Sequence, residues 1–368
     1  MVSTILVIVI ILLCVAHFYL KSGVLTSFTT LMSAVFAVII SFNFYEWTAN
    51  QLISRGYGGG WAQPGCFIFL FVFSFAILRT LGDYLVGANI NFGVLPTRVI
   101  AVVSGIIVGV IVSGTLLITI AMAPLSGKWP YARFGVGQTV KAANINPNGS
   151  LFNVDGMVTG LFSWISRGPL SSEKSFAVMS ADFVNRLHLN RLTPEKKKEE
   201  ENPRTSRGRL EDQKVLTIAG AQSVVVPKNG VRIHDDNSTI VRLEIKAKSV
   251  EDGGALDENS RMSFTLSQVS LICKPNAQAN DNRGVASVVY PENYIVSSAQ
   301  RTTGQAANLA ELITIDRPFN RGNARIDISF KVPDRQTAKF LRFKQNVIVE
   351  LPKTSSAGEE IEQNLDEG

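Results

Sequence analysis

Three cysteines and three histidines are few for 368 residues, and neither set converges. Cys14 and Cys66 stand in or beside apolar runs and Cys273 is alone in the C-terminal half, which excludes a disulfide framework and any familiar metal-ligand spacing. His17, His188 and His234 fall in separate regions, and no His-Glu-x-x-His, Gly-x-Ser-x-Gly or P-loop pattern occurs. No catalytic residue, metal site or cofactor is therefore expected, and the chain does not read as an enzyme. Asp235 and Asp236 beside His234 read as solvated turn residues ahead of a strand. Charge is missing as well: residues 1–125 hold only Lys21, Arg55, Arg79 and Arg98 against Glu46 and Asp83. The net charge of +6 is nowhere concentrated or interleaved with aromatics in a way that argues for nucleic acid.

What fills the charge-poor part is four apolar runs, 2–20, 24–44, 66–81 and 96–123, and the mean hydropathy of +0.18 averages an oily part with a watery one. The first run lacks the basic start and small-x-small cleavage site of a signal peptide, and it reads as an uncleaved first helix. In the third, Phe67, Phe69, Phe71, Phe73 and Phe75 alternate like a strand. An isolated strand in lipid would leave its backbone unpaired, so this run must be helical too, with Phe67, Phe71 and Phe75 on one stripe. Arg79 and Asp83, a turn apart, form a local ion pair. His17 reads as an interfacial side chain reaching headgroups or water.

Small residues recur every fourth position in two of the runs. In the fourth they are Ala101, Gly105, Gly109 and Ser113; in the second, Thr29, Ser33, Ala37 and Ser41. Lipid tails are as apolar as leucine, so close backbone approach over such a stripe is one of the few sources of packing energy in a bilayer. The two ridges are natural mates, and the stripe on the fourth helix could equally serve a homo-oligomer or a membrane-protein partner. Arg98, Ile100, Ala101, Gly105 and Gly109, with Lys21 and Gly23 after the first span, resemble the Arg-x-Leu-Gly-xxx-Gly-xxx-Gly helix of the colicin V production protein (CvpA) family over about the first 125 residues. Thr97, Ala101 and Val108 stand where that pattern has an acidic residue, a glycine and a basic residue. The resemblance implies a four-span inner-membrane protein with a non-enzymatic role in toxin production or secretion and in envelope maintenance. Some proteins with a similar anchor carry an extracytoplasmic serine protease; no Gly-Asp-Ser-Gly motif occurs in this sequence.

Beyond the spans, Trp129 and Tyr131 suit an interfacial belt. Two amphipathic segments follow within 126–192, one with Met157, Val158, Leu161, Phe162 and Ile165 on a face, the other with Phe176, Met179, Phe183, Val184 and Leu187. They could lie on the membrane surface or pack on each other or on the soluble domain. Arg167, Lys174, Arg186 and Arg191 read as solvated charges. Residues 193–213 form a charged linker without aromatics and 353–368 an acidic tail, neither with anything to bury.

In 214–352 the period changes to two. Val241, Leu243 and Ile245 alternate with Arg242, Glu244 and Lys246, and Ile326, Ile328, Phe330 and Val332 with Arg325, Asp327, Ser329 and Lys331. Shorter candidates are 215–218, 285–290, 312–315 and 347–351, and 263–272 reads as one long strand with a bulge between Leu266 and Val269. Many short strands with turns such as Lys228-Asn229-Gly230 predict an all-β sandwich able to fold by itself. Phe330-x-Val332-Pro333 followed by Leu341-x-Phe343 resembles immunoglobulin-like domains of exported bacterial proteins. The expected fold class is thus membrane α-helical with four transmembrane helices plus a soluble all-β sandwich. Its partners are the lipid bilayer and an unknown ligand or protein for the sandwich. A small transporter or channel subunit, or an anchor for an extracytoplasmic binding module, are the alternatives.

Overall fold

The computed structural model describes residues 2–21, 23–53, 55, 57–85, 93–134, 139–168, 171, 175–191, 224–233, 238–245, 262–278, 284–296, 300–301, 308–315, 324–344 and 347–352. The linker at 193–213, the tail, the strand expected at 215–218 and the His234 turn lie outside them. Two compact units are formed, one from residues 1–133 and 148–165, the other from 134–147 and 166–368.

The first unit is helical. α1 (Val2–Lys21), α2 (Val24–Ile53), α3 (Ala62–Leu85) and α4 (Val94–Met122) are each long and apolar enough to cross a membrane, since about twenty helical residues span the hydrocarbon core. α3 is helical despite its alternating phenylalanines. Phe67 and Phe71 turn inward, Phe67 edge-on to Phe42 at 5.1 Å and to Tyr45 at 5.4 Å, whereas Phe69 and Phe73 stack together on the exposed side. Arg79 and Asp83 pair at the far end of the helix. α4 starts after Gly93, whose φ of 88° suits a residue without Cβ. Pro96 follows in the first turn, where no intrahelical N–H bond is lost.

Packing is closest between α1 and α4 and between α2 and α3. The glycines of the α4 stripe meet α1, and not the ridge on α2 that the spacing pairs them with. On the α2 ridge Ser33, Ala37 and Ser41 are buried, and Thr29 lies against Gly82 of α3. α5 (Val154–Arg167) then lays Val154, Val158 and Phe162 against the bundle, with Phe162 stacked on Phe42 at 4.7 Å. Met157, expected on that buried face, is exposed, as is Trp164.

The second unit is a β-sandwich. Its six-stranded sheet runs β1 (Val224–Val225), β3 (Ser238–Ile245), β10 (Ala324–Lys331), β7 (Pro291–Val296) and β8 (Gln300–Arg301), with β2 (Val231–Ile233) also paired to β3. A four-stranded sheet has the order β12 (Val347–Glu350), β11 (Gln336–Phe343), β5 (Val269–Pro275), β6 (Ser287–Val289). Among the described residues, β4 (Met262–Thr265) pairs only with β9 (Leu312–Ile315). All pairings are antiparallel. Val241, Leu243, Ile245, Ile326, Ile328 and Phe330 point into one core with Val269, Leu271, Cys273, Leu341 and Phe343. The polar positions between them pair in register: Arg242 with Asp327 through two bonds of 2.8 and 2.7 Å, and Arg325 with Glu244 at 2.8 Å.

Two expectations change here. The slip between Leu266 and Val269 is not a bulge in one strand but a turn of 3-10 helix, Leu266–Gln268, closed by a capping box between Thr265 and Gln268, and it sends β4 and β5 into different sheets. A bulge and a one-turn helix break the period alike, so alternation does not separate them. Residues 126–192, read as one juxtamembrane piece, divide between the units. Phe134 and Val140 belong to the β core, where the N–H of Leu309 donates to the Val140 carbonyl at 2.7 Å. α6 (Phe176–Met179) and α7 (Phe183–Leu189) cover the outer face of the four-stranded sheet, with Val178 and Met179 on Ile272 and Phe340. For this reason β5 is buried from Val269 through Lys274 on both faces.

Candidate functional site

On α4, the residues singled out from sequence share one side of the helix. Ala101 and Ser113 are buried, and a Cβ added at Gly105 would lie 2.8 Å from the Cα of Val15 and 3.3 Å from the carbonyl oxygen of Cys14. One at Gly109 would lie 2.8 Å from the Cα of Ile11. Four residues forward on α4 correspond to four back on α1, so the two run antiparallel with their backbones in contact. Ser113 donates locally, to the Val110 carbonyl at 3.2 Å. Arg98 lies at the exposed start of α4, its guanidinium 4.4 Å above the Tyr19 ring and bonded to the Tyr19 carbonyl. It thereby supplies a cation and a donor to the C-terminal turn of α1, where carbonyls have no helical partner.

Gly114, one residue beyond the stripe, is the contact that four-residue spacing missed. A Cβ there would come within 2.6 Å of Val158 and closer still to the Val154 carbonyl. The start of α5 is held against it by a polar knot centred on Asp155, which is 2 % exposed. Tyr131 and Ser150 both donate to the Asp155 carboxylate, Ser150 at 2.5 Å, and Arg133 donates to the Tyr131 oxygen at 2.7 Å with its Nη1 3.9 Å from Asp155. Burial and then the Asp155 charge push the Tyr131 phenol well up, so it stays a donor. Buried carboxylates are costly unless bonded in this way. The knot fastens the chain leaving α4 to the N-terminus of α5.

The β unit carries the other concentration of polar groups. Arg186 and Arg191, read from sequence as solvated, are 7 % and 3 % exposed. Between α7 and the outer face of the four-stranded sheet a hollow is lined by Ser180, Asp182, Arg186, Ser270, Tyr290 and Arg342. Tyr290 donates to Asp182 at 3.1 Å, and Asn185 to the other carboxylate oxygen at 2.5 Å. Burial first, and Asp182 next, raise the Tyr290 phenol well above its ordinary range. Arg342, opposite Ser270 in the strand register, donates one Nη to the Met179 carbonyl. The Nε atoms of both Arg186 and Arg342 are buried and have no acceptor among the described residues.

Catalytic convergence is not seen among the described residues. His17 is exposed on α1 and His188 is buried in α7, and no three His, Cys, Asp or Glu side chains come together as a metal site among the described residues. The three thiols are free, and Cys273, far from accessible, is fully buried. No family model, no curated protein and no solved structure matches the chain.

Proposed function

We propose that this chain is a non-enzymatic integral protein of the bacterial inner membrane, of the CvpA kind, acting in toxin production or secretion or in upkeep of the envelope. The observation that carries the reading is the seat of Gly105 and Gly109 on the backbone of α1: two positions that bear the resemblance are positions where the bundle has no room for a side chain. Buried hydroxyls in the spans turn back on their own helices, Thr30 to Thr26, Ser33 to Thr29, Ser41 to Ala37 and Thr115 to Ile111 at 2.7–2.8 Å. That favours a scaffold over a transporter or channel subunit, which would want ionisable groups at bilayer depth. A second reading, the helices as anchor for a binding module, is favoured by the two buried guanidiniums of the β unit.

In both readings the two termini and the β unit lie outside the cytoplasm. Lys21, Arg79 and Arg98 flank the two short connections that an even number of spans leaves inside. Comparing a chain truncated after residue 165 with the full deletion in toxin export and envelope integrity tests the function. Loss of both phenotypes on truncation selects the anchor reading. Retention selects a membrane-centred role, and wild-type behaviour of the full deletion removes both.

A further inference from the structure

For a helix in water, α5 is inside out. Its polar residues Asp155, Thr159 and Ser166 are buried, whereas Met157 and Trp164 are 54 % and 64 % exposed, as is Phe152 just ahead of it at 68 %. Asp155 is held in its knot, and the Thr159 hydroxyl donates to the Asp155 carbonyl at 2.9 Å. From Gly156 to Ser166 the helix carries no charge, so the outward stripe of Met157, Gly160 and Trp164 lacks the charged residues that a solvated face has. Phe152 keeps its ring outward although its φ of 55° lies in the left-handed region, which disfavours a bulky side chain. Exposed large apolar side chains over buried polar ones mark a surface that is not meant for water.

The depth at which α5 sits decides what covers that stripe. Val154 and Val158 seat on Gly114, two turns before α4 ends at Met122, which is about 12 Å along the axis. Val154 also clusters with Val7 of α1 and Leu117 of α4. Two turns further on, Phe162 stacks on Phe42, three turns before α2 ends at Ile53, or about 16 Å. α5 thus crosses from one span to another at nearly constant depth, on the flank of the bundle and below its rim. Glu46, the one charged residue of α2, comes a turn after Phe42. The chain's four tryptophans are all exposed, and Trp47, Trp61 and Trp129 stand at the end of the bundle where α2 stops, α3 starts and α4 has stopped. Such a girdle marks the headgroup boundary. We propose that α5 is a membrane-embedded helix, lying in the bilayer plane at that boundary with Phe152, Met157 and Trp164 inserted into lipid. This requires only the four spans and no role in the envelope, so it stands or falls apart from the proposed function.

The full chain is reconstituted into phosphatidylcholine liposomes, and tryptophan emission is compared between the wild type and Trp164→Phe, which keeps an apolar ring; the difference is the emission of Trp164. Two quenchers are applied separately: phosphatidylcholine brominated on its acyl chains near the headgroup, and iodide present on both sides of the membrane. Trp164 emission is expected to be blue-shifted, to lose its larger part to the bromolipid and to lose little to iodide. Quenching by iodide as strong as by bromolipid would put the outer face of α5 in water. Quenching by neither would mean that protein covers it. Each result overturns the proposal. Should Trp164→Phe fail to accumulate, the reciprocal chain with Trp47, Trp61 and Trp129 replaced by phenylalanine reads Trp164 alone, under the same two outcomes.

Discussion

Lys344 follows β11 with a φ of 52°, is 2 % exposed, and gives its backbone N–H to the Gln268 carbonyl at 2.7 Å. Burial pulls its ammonium from 10.5 down to about 8. Between those values the unfolded chain holds a proton that the folded chain has released, so stability rises with pH from about 8 to 10.5, and the full cost is present below 8. That cost is on the order of 3 kcal/mol. Cys273 acts with the opposite sign: burial lifts its thiol from 9.0 to about 12, so it removes stability as pH climbs above 9. Lys344 is therefore best read as a difference. Lys344→Met should be the more stable protein at pH 7 in urea unfolding of the full chain in detergent, and its advantage should vanish by pH 10.5. A pH-independent difference would show that the ammonium is not what the burial penalises. Nothing in the sequence marks Lys344, Arg186 or Arg342 as interior, because a charged residue at one position of an amphipathic pattern looks the same whether water or a second layer covers it.

Among the elements, α4 depends on glycine where no other residue fits. Leucine at Gly105 and Gly109 together would meet the Cα atoms of Val15 and Ile11, backbone that has nowhere to move without parting the helices. Overpacking of this kind costs about 1–3 kcal/mol per site. The double variant should lose α1–α4 association, read as reduced accumulation in the membrane or faster proteolysis, and wild-type levels would mean that the close approach is dispensable. How far such features were legible depends on what the period encodes. A stripe of small residues fixes which side of α4 packs but not which helix it meets, so α1 was open to view only in three dimensions. β3 and β10 were plain because one face of each sees solvent, and their charges alternate cleanly with Val241, Leu243, Ile326 and Ile328. β4 and β5 were read as one bulged strand because the 3-10 turn between them breaks the period as a bulge does, and nothing told that Ser270, Ile272 and Lys274 are buried as deeply as Leu271 and Cys273. A strand covered on both faces has no alternation to show. Asp155 gave no signal at all, since its partners Tyr131 and Ser150 come from turns that spacing does not place.

For the molecule as a whole, the boundary between units matters more than the number of domains. A fragment of residues 214–352, which its strands alone recommend, omits Phe134, Val140 and Leu189 from the core and uncovers Ile272 and Phe340. Each large apolar side chain withdrawn is worth about 1.5–3 kcal/mol, against a total stability of about 5–15 kcal/mol. Residues 134–352 should therefore unfold at clearly higher urea than 214–352, by circular dichroism; coincident midpoints would show that the extra segments contribute nothing. Orientation is checked at Asp334, an exposed residue just past β10, because buried Cys273 is of no use as a reporter. With Cys14 and Cys66 replaced by alanine, Asp334→Cys should react with an impermeant maleimide in intact spheroplasts. Reaction only after lysis would put the β unit in the cytoplasm. The chain also passes from one unit to the other at 133/134, 147/148 and 165/166, and this weave has its own consequence for proteolysis. A single cut in α5 at 165/166 severs the polypeptide without releasing the β unit, because Phe134 and Val140 on the N-terminal piece remain threaded through its core, and the two pieces form a natural split pair that parts only when the sandwich itself unfolds.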